Sequence, residues 1–239
     1  MSHAGREGEV EQPLDLLLPA MPSLKLGGLP ALVDEPAGVP VGRVLLTHGA
    51  GGDMKGAGLT ALAHGLAANG FLVCRFDLPY RAEGKRSPPA AEKSVAGVVS
   101  AFEGAVERFG TSRWVVGGKS YGGRVASLAV AGGLDAAGLL FCGYPLHPPG
   151  KKESLRVGHW PEIAVPCLFL QGTHDSFCDS SLLNRHLSKL GAGHELIFVE
   201  GGDHSLKVPA GRSPEGRARS ETQVIDGLVE PVADWLKRL

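Results

Sequence analysis

The chain has 239 residues, of which 43% are hydrophobic and 21% charged, and a net charge of −1. That length suits one large α/β domain, and the near-neutral balance supplies no field that would draw the protein to nucleic acid or a membrane surface. No apolar stretch reaches the ~18 residues of a membrane span, and Cys74, Cys142, Cys167 and Cys178 have neither zinc-ligand nor redox-motif spacing.

Residues 1–12 are polar and acidic without the apolar h-region of a signal peptide. They are expected to form a disordered tail, followed by a single domain over 13–239. With small buried thiols in a reducing compartment as the simplest reading of the cysteines, a cytoplasmic location is expected. Short early strands are expected near 14–18 and 29–33. The clear β-rich runs are 44–48, 71–76, 114–118, 138–143, 167–172 and 195–201. Each is continuously apolar rather than alternating, as in strands covered on both faces of a parallel sheet. Between them lie helical patterns at 58–69, 91–109, 121–131, 180–190 and 221–239. Strand–helix repetition of this kind implies a doubly wound, mostly parallel α/β sheet with helices on both faces. Ligand sites in such sheets lie beyond the C-terminal strand ends. The loops at 78–94 and 144–162 leave such ends and should overhang the site, and a third, at 208–220, follows the last strand and is rich in Gly, Pro and Arg. None reads as a large helical lid.

Gly118-Lys119-Ser120-Tyr121-Gly122 has the form G-x-S-x-G between the run at 114–118 and the helix at 121–131. This is the context of a nucleophile elbow, where a strained turn presents a serine above the sheet. A P-loop would need a further glycine where Arg113 stands, which excludes that reading. An elbow serine needs a base, and in this arrangement the order is Ser, then Asp or Glu, then His. Of nine histidines, His204 alone directly follows the last run. Asp175, after the run at 167–172, is the first candidate to orient His204, and Asp179 is the second. Asp203, adjacent to His204, reads as a turn cap. Arg124 stands in a first helical turn, where a cation is not dipole-favoured, so a specific partner, such as a neighbouring carboxylate, is expected for it.

One oxyanion donor in this arrangement is the N–H after the nucleophile, here Tyr121. The other comes from the glycine-rich turn His48–Gly52, with Ala50 as first choice and Gly51 as alternative. An ordinary tight turn is the competing reading. Gly51, Arg81 and His147 are candidate substrate-loop residues. Arg81, Lys85, Arg86, Lys151, Lys152 and Arg156 suit an anionic substrate or simply a solvated face. No convergent set of zinc ligands is visible, and neither metal nor cofactor is expected.

The ordered motifs HGAGGDM, FDLPYR, GGKSYGGR, GYPLHPPGK, LQGTHD and GGDHSLK resemble the dienelactone-hydrolase-like branch of the α/β-hydrolase superfamily. More narrowly, they resemble the testis-expressed and NSL-complex hydrolase-like proteins. The resemblance spans roughly residues 40–239. It implies an α/β-hydrolase fold with Ser120, Asp175 and His204 at the triad positions. Dienelactone hydrolases proper use a cysteine where Ser120 stands, so lactone substrates do not carry over. The expected activity is cleavage of a small-molecule carboxylic ester or thioester through an acyl-enzyme. The alternative is a non-catalytic binding module or protein-interaction scaffold on the same fold. Oligomeric state is not readable.

Overall fold

The computed structural model describes residues 24–239. The expected tail at 1–12 and strand near 14–18 lie outside the described residues. The strands are β1 (Lys25–Leu26), β2 (Leu29–Asp34), β3 (Gly42–Thr47), β4 (Phe71–Phe76), β5 (Trp114–Lys119), β6 (Gly138–Cys142), β7 (Cys167–Gly172) and β8 (His194–Val199). They form one eight-stranded sheet in the order β1-β2-β4-β3-β5-β6-β7-β8. From β4 to β8 every pairing is parallel, while β2 runs antiparallel to β4 and β1 to β2. The sheet is thus doubly wound and mostly parallel, with an antiparallel edge.

The helices are α1 (Ala57–Ala68), α2 (Pro79–Ala82), α3 (Val95–Phe109), α4 (Tyr121–Ala131), α5 (Ser180–His186) and α6 (Glu221–Lys237). They cover both faces of the sheet, which is why the central strands lack polar alternation. On β3, Leu45 joins a core with Val98, Phe102, Val125 and Ala129 of α3 and α4. Its neighbours Val44 and Leu46 point the other way, into a core with Leu62, Leu66, Val232 and Leu236 of α1 and α6. A Cβ on Gly65 would lie 2.4 Å from a Val229 methyl, so this glycine lets α1 and α6 approach closely.

Four expectations need correction. The helical pattern at 91–109 begins as a 3-10 turn over Ala91–Ser94, and that at 180–190 passes into one at Leu187–Lys189. The β8 run is not covered on both faces: only Val199 is buried. As the last strand of the sheet it has a partner on one side only, and its apolar residues are half-solvated. The loop at 78–94 also carries the one-turn helix α2.

Candidate active site

Ser120 sits between β5 and α4 with φ 50° and ψ −114°. A non-glycine residue there is strained, and close packing around the turn enforces it. A Cβ on Gly118 would stand 2.1 Å from the Thr47 carbonyl oxygen, and one on Gly122 would stand 2.5 Å from that of His48. The glycines of the G-x-S-x-G turn are therefore needed to let β3 and the elbow pass each other. Lys119 points away to Glu221 on α6, Nζ to Oε1 at 2.6 Å.

The structure brings Ser120, His204 and Asp175 together. Ser120 Oγ lies 2.7 Å from His204 Nε2, and His204 Nδ1 lies 2.7 Å from Asp175 Oδ2. An ionised Asp175 fixes the tautomer: Nδ1–H donates to the carboxylate, which leaves Nε2 to accept the serine proton. The Asp175 side chain is fully buried. Its charge is held by further donors: Gln171 Nε2 to Oδ2 at 2.6 Å and Phe177 N–H to Oδ1 at 2.7 Å. The Phe177 ring also packs on the His204 imidazole, with centroids 4.3 Å apart.

The other acidic candidates have different partners. Asp179 caps α5, accepting from the N–H groups of Ser181 and Leu182, and pairs with Lys152. Asp203 accepts from the N–H groups of Ser205 and Lys207, the turn-capping role expected for it.

A pocket of about 310 Å³ opens on Ser120 and is lined by Ala50, Tyr121, Arg124, Arg156 and Phe177 among others. Among the described residues, the N–H groups of Ala50 and Tyr121 donate to no protein acceptor, as oxyanion donors should. The turn carrying Ala50 is held by His48. Its Nδ1–H donates to Gly49 O at 2.9 Å while Nε2 accepts from Leu78 N–H at 3.1 Å. Burial pushes the His48 pKa down, which keeps the ring in this neutral form. Gly51 takes φ +72°, a turn conformation that favours glycine.

Of the remaining substrate-loop candidates, Arg81 pairs with Asp53 at 3.4 Å. His147 does not join the pocket at Ser120. It is buried, with Nδ1 2.9 Å from Pro148 O and Nε2 accepting from Asp179 N–H at 3.0 Å. Its loop position suggested access, but its ring ties that loop to the start of α5. The 78–94 loop does overhang the site, because Tyr121 Oη donates to Pro89 O at 3.1 Å and lies 2.8 Å from Ser94 Oγ. Arg124 has the expected carboxylate partner, Glu92, at 2.8 Å. Sequence reasoning missed Gln171 and Phe177. Only their places, at the end of the β7 run and two residues past Asp175, could have pointed to them.

A mostly parallel sheet with a serine–histidine–aspartate cluster over its C-terminal edge defines an α/β-hydrolase. The model of the Alpha/beta hydrolase domain family matches residues 40–237, and the chain belongs to that family. Solved structures share the fold at low identity. An alpha-beta serine hydrolase homologue from Coxiella burnetii is 16% identical with a TM-score of 0.65, covering 88% of this chain and 90% of that one. A serine hydrolase without lid from Xanthomonas campestris is 20% identical with a TM-score of 0.65, covering 89% and 94%. A dienelactone hydrolase from Anabaena variabilis is 17% identical with a TM-score of 0.66, covering 88% and 91%. No helix among the described residues is long and apolar enough to cross a membrane.

Proposed function

We propose that the protein is a serine hydrolase that cleaves a carboxylic ester or thioester of a small molecule. The observation that carries this reading is the unbroken hydrogen-bond chain from Ser120 through His204 to Asp175, 2.7 Å at each link. In the proposed reaction His204 takes the Ser120 proton as Oγ attacks the carbonyl carbon. The N–H groups of Ala50 and Tyr121 bind the developing oxyanion. His204 then protonates the leaving group, and an acyl-enzyme remains. Water, deprotonated by His204, attacks the acyl carbon and releases the acid and free Ser120. Asp175 holds the imidazole and stabilises its cationic form throughout.

A fluorophosphonate probe tests the reading. It should label Ser120 and nothing else, and Ser120→Ala should abolish labelling and lower ester turnover by ~10⁴–10⁶. A protein that resists the probe and cleaves no ester would instead be a binding module on this fold, and a Ser120→Ala variant that cleaves esters as fast as wild type would mean that Ser120 is not the nucleophile. The reading extends to a single domain over 13–239. Four free, buried cysteines support placing it in the reducing cytoplasm. The narrower kinship to the testis-expressed and NSL-complex hydrolase-like proteins rests on the six ordered motifs alone.

A further inference from the structure

The pocket that opens on Ser120 also contains two arginines. Arg124 lies on α4, one helical turn or ~6 Å of rise beyond the nucleophile, and Arg156 comes from the loop after β6. Their protein partners leave much of this charge unanswered. Glu92 Oε1 accepts from Arg124 Nη2 at 2.8 Å, but its side chain is 60% exposed against 21% for Arg124. Arg124 Nε is buried and has no hydrogen-bond partner. Arg156 Nη1 donates to the neutral carbonyl of Pro145 at 3.2 Å.

The two cations affect each other and their surroundings. Burial first, and then the Arg124 charge, lower the Arg156 pKa. The nearby His159, 2.7 Å from Ser127 Oγ, is held down to about 4 by burial and by Arg124, so it brings no third charge at neutral pH. Two like charges desolvated in one pocket, with an unfilled donor and one solvated carboxylate, repel each other unless an anion joins them. Guanidinium groups suit carboxylate and phosphate because their planar donors match two oxygens at once.

We infer that Arg124 and Arg156 form an anion clamp, and that the substrate is an ester or thioester carrying a carboxylate or phosphate within about a helical turn of its scissile carbonyl. This rests on the reading of Ser120 as the nucleophile. The clamp binds the charged end of the substrate, and the elbow then meets the carbonyl at a fixed distance from it. Binding energy at the remote anion is thereby used to position the reacting carbon.

Paired esters test the inference. The acyl-side pair is p-nitrophenyl hemiglutarate against p-nitrophenyl methyl glutarate. The leaving-group pair is the butyryl ester of 4-hydroxybenzoate against that of its methyl ester. A p-nitrophenyl 4-phosphonobutyrate arm separates phosphate from carboxylate recognition. Wild type should favour the charged member of at least one comparison by tenfold or more in kcat/KM. Arg124→Gln and Arg156→Gln should each bring that ratio toward one, and Arg156→Lys should recover part of it. As a second measure, glutarate but not glutaramide should slow fluorophosphonate labelling of wild type, and the effect should vanish in Arg124→Gln. If the probe labels Ser120 while charged esters show no preference and glutarate gives no protection, the clamp is wrong and the nucleophile stands. If the probe fails to label and no ester is cleaved, the nucleophile reading falls, and the clamp with it.

Discussion

Asp175→Asn separates charge from shape at the least accessible point of the site. In the native protein three N–H donors converge on two carboxylate oxygens: His204 Nδ1 and Gln171 Nε2 on Oδ2, Phe177 N on Oδ1. An asparagine offers one oxygen and one NH₂ group. Turned one way, its NH₂ meets Phe177 N–H, and one buried donor loses its acceptor. Turned the other way, it faces both Gln171 and His204. His204 escapes by moving its proton to Nε2, which ends its use as a base, and Gln171 cannot flip because its Oε1 accepts from Tyr144 N–H at 2.9 Å. Either arrangement orphans one buried donor, at ~1–3 kcal/mol of stability. Both remove the charge that supports the imidazolium. We expect kcat for an activated ester to fall by ~10³–10⁴, or about 4–5.5 kcal/mol of barrier. Asp179→Asn is the control, because asparagine caps a helix about as well as aspartate. Steady-state turnover and urea unfolding on both variants decide the matter. An Asp175→Asn enzyme that keeps more than a tenth of wild-type kcat, beside an Asp179→Asn enzyme that loses more, would refute the assignment of the acid.

Gly118→Ala should be among the most damaging single-methyl additions in the chain. The new Cβ would stand 2.1 Å from Thr47 O at a φ of +152°, backbone against backbone. A loss of ~3 kcal/mol, the upper end of overpacking penalties, is expected in chemical denaturation, with activity lost as the elbow shifts. The depressed His159 pKa, about 4 against 6.5, makes this group a source of acid lability. The neutral ring is the folded form, so its contribution is complete above pH ~6.5 and declines as the pH falls from there toward about 4. Comparing Tm at pH 7 and pH 4.5, His159→Asn should lose less than wild type; equal losses would remove His159 from the account.

Much of the fold and the cluster was legible because each rested on local chemistry. Continuous apolar runs marked strands sandwiched between helices, and failed at β8, where a strand at the end of the sheet leaves its side chains half-solvated. The rule that functional residues follow strands picked His204 and Asp175 from a longer set of histidines and acids. It could not reject His147, which also follows a strand, because rejection required knowing that both ring nitrogens are taken by the backbone. It could not find Gln171 either. A glutamine ending an apolar strand carries no sign that its amide will bridge Tyr144 N–H and Asp175. The expectation that Arg124 has a specific partner, such as a carboxylate, followed from its place in a first helical turn. That Arg156 would join it followed only from the path of a loop with no regular pattern.

The charges of the site fall into two groups with different partners. The buried negative charge of Asp175 is held by neutral donors, a glutamine amide, a backbone N–H and an imidazole N–H, rather than by a cation. An arginine or lysine in that place would lower the carboxylate's ability to stabilise an imidazolium in the proposed attack, because the two positive charges would compete for one anion. Neutral donors avoid that competition while still satisfying the carboxylate. The same arrangement leaves Arg124 and Arg156 uncommitted to the acid, although both line the pocket that opens on Ser120. In the proposed reaction, keeping cations close to Ser120 yet apart from the Asp175 carboxylate would let charge recognition and proton transfer share one small cavity. A carboxylate on the substrate would then complete the arginine pair without disturbing the His204–Asp175 bond.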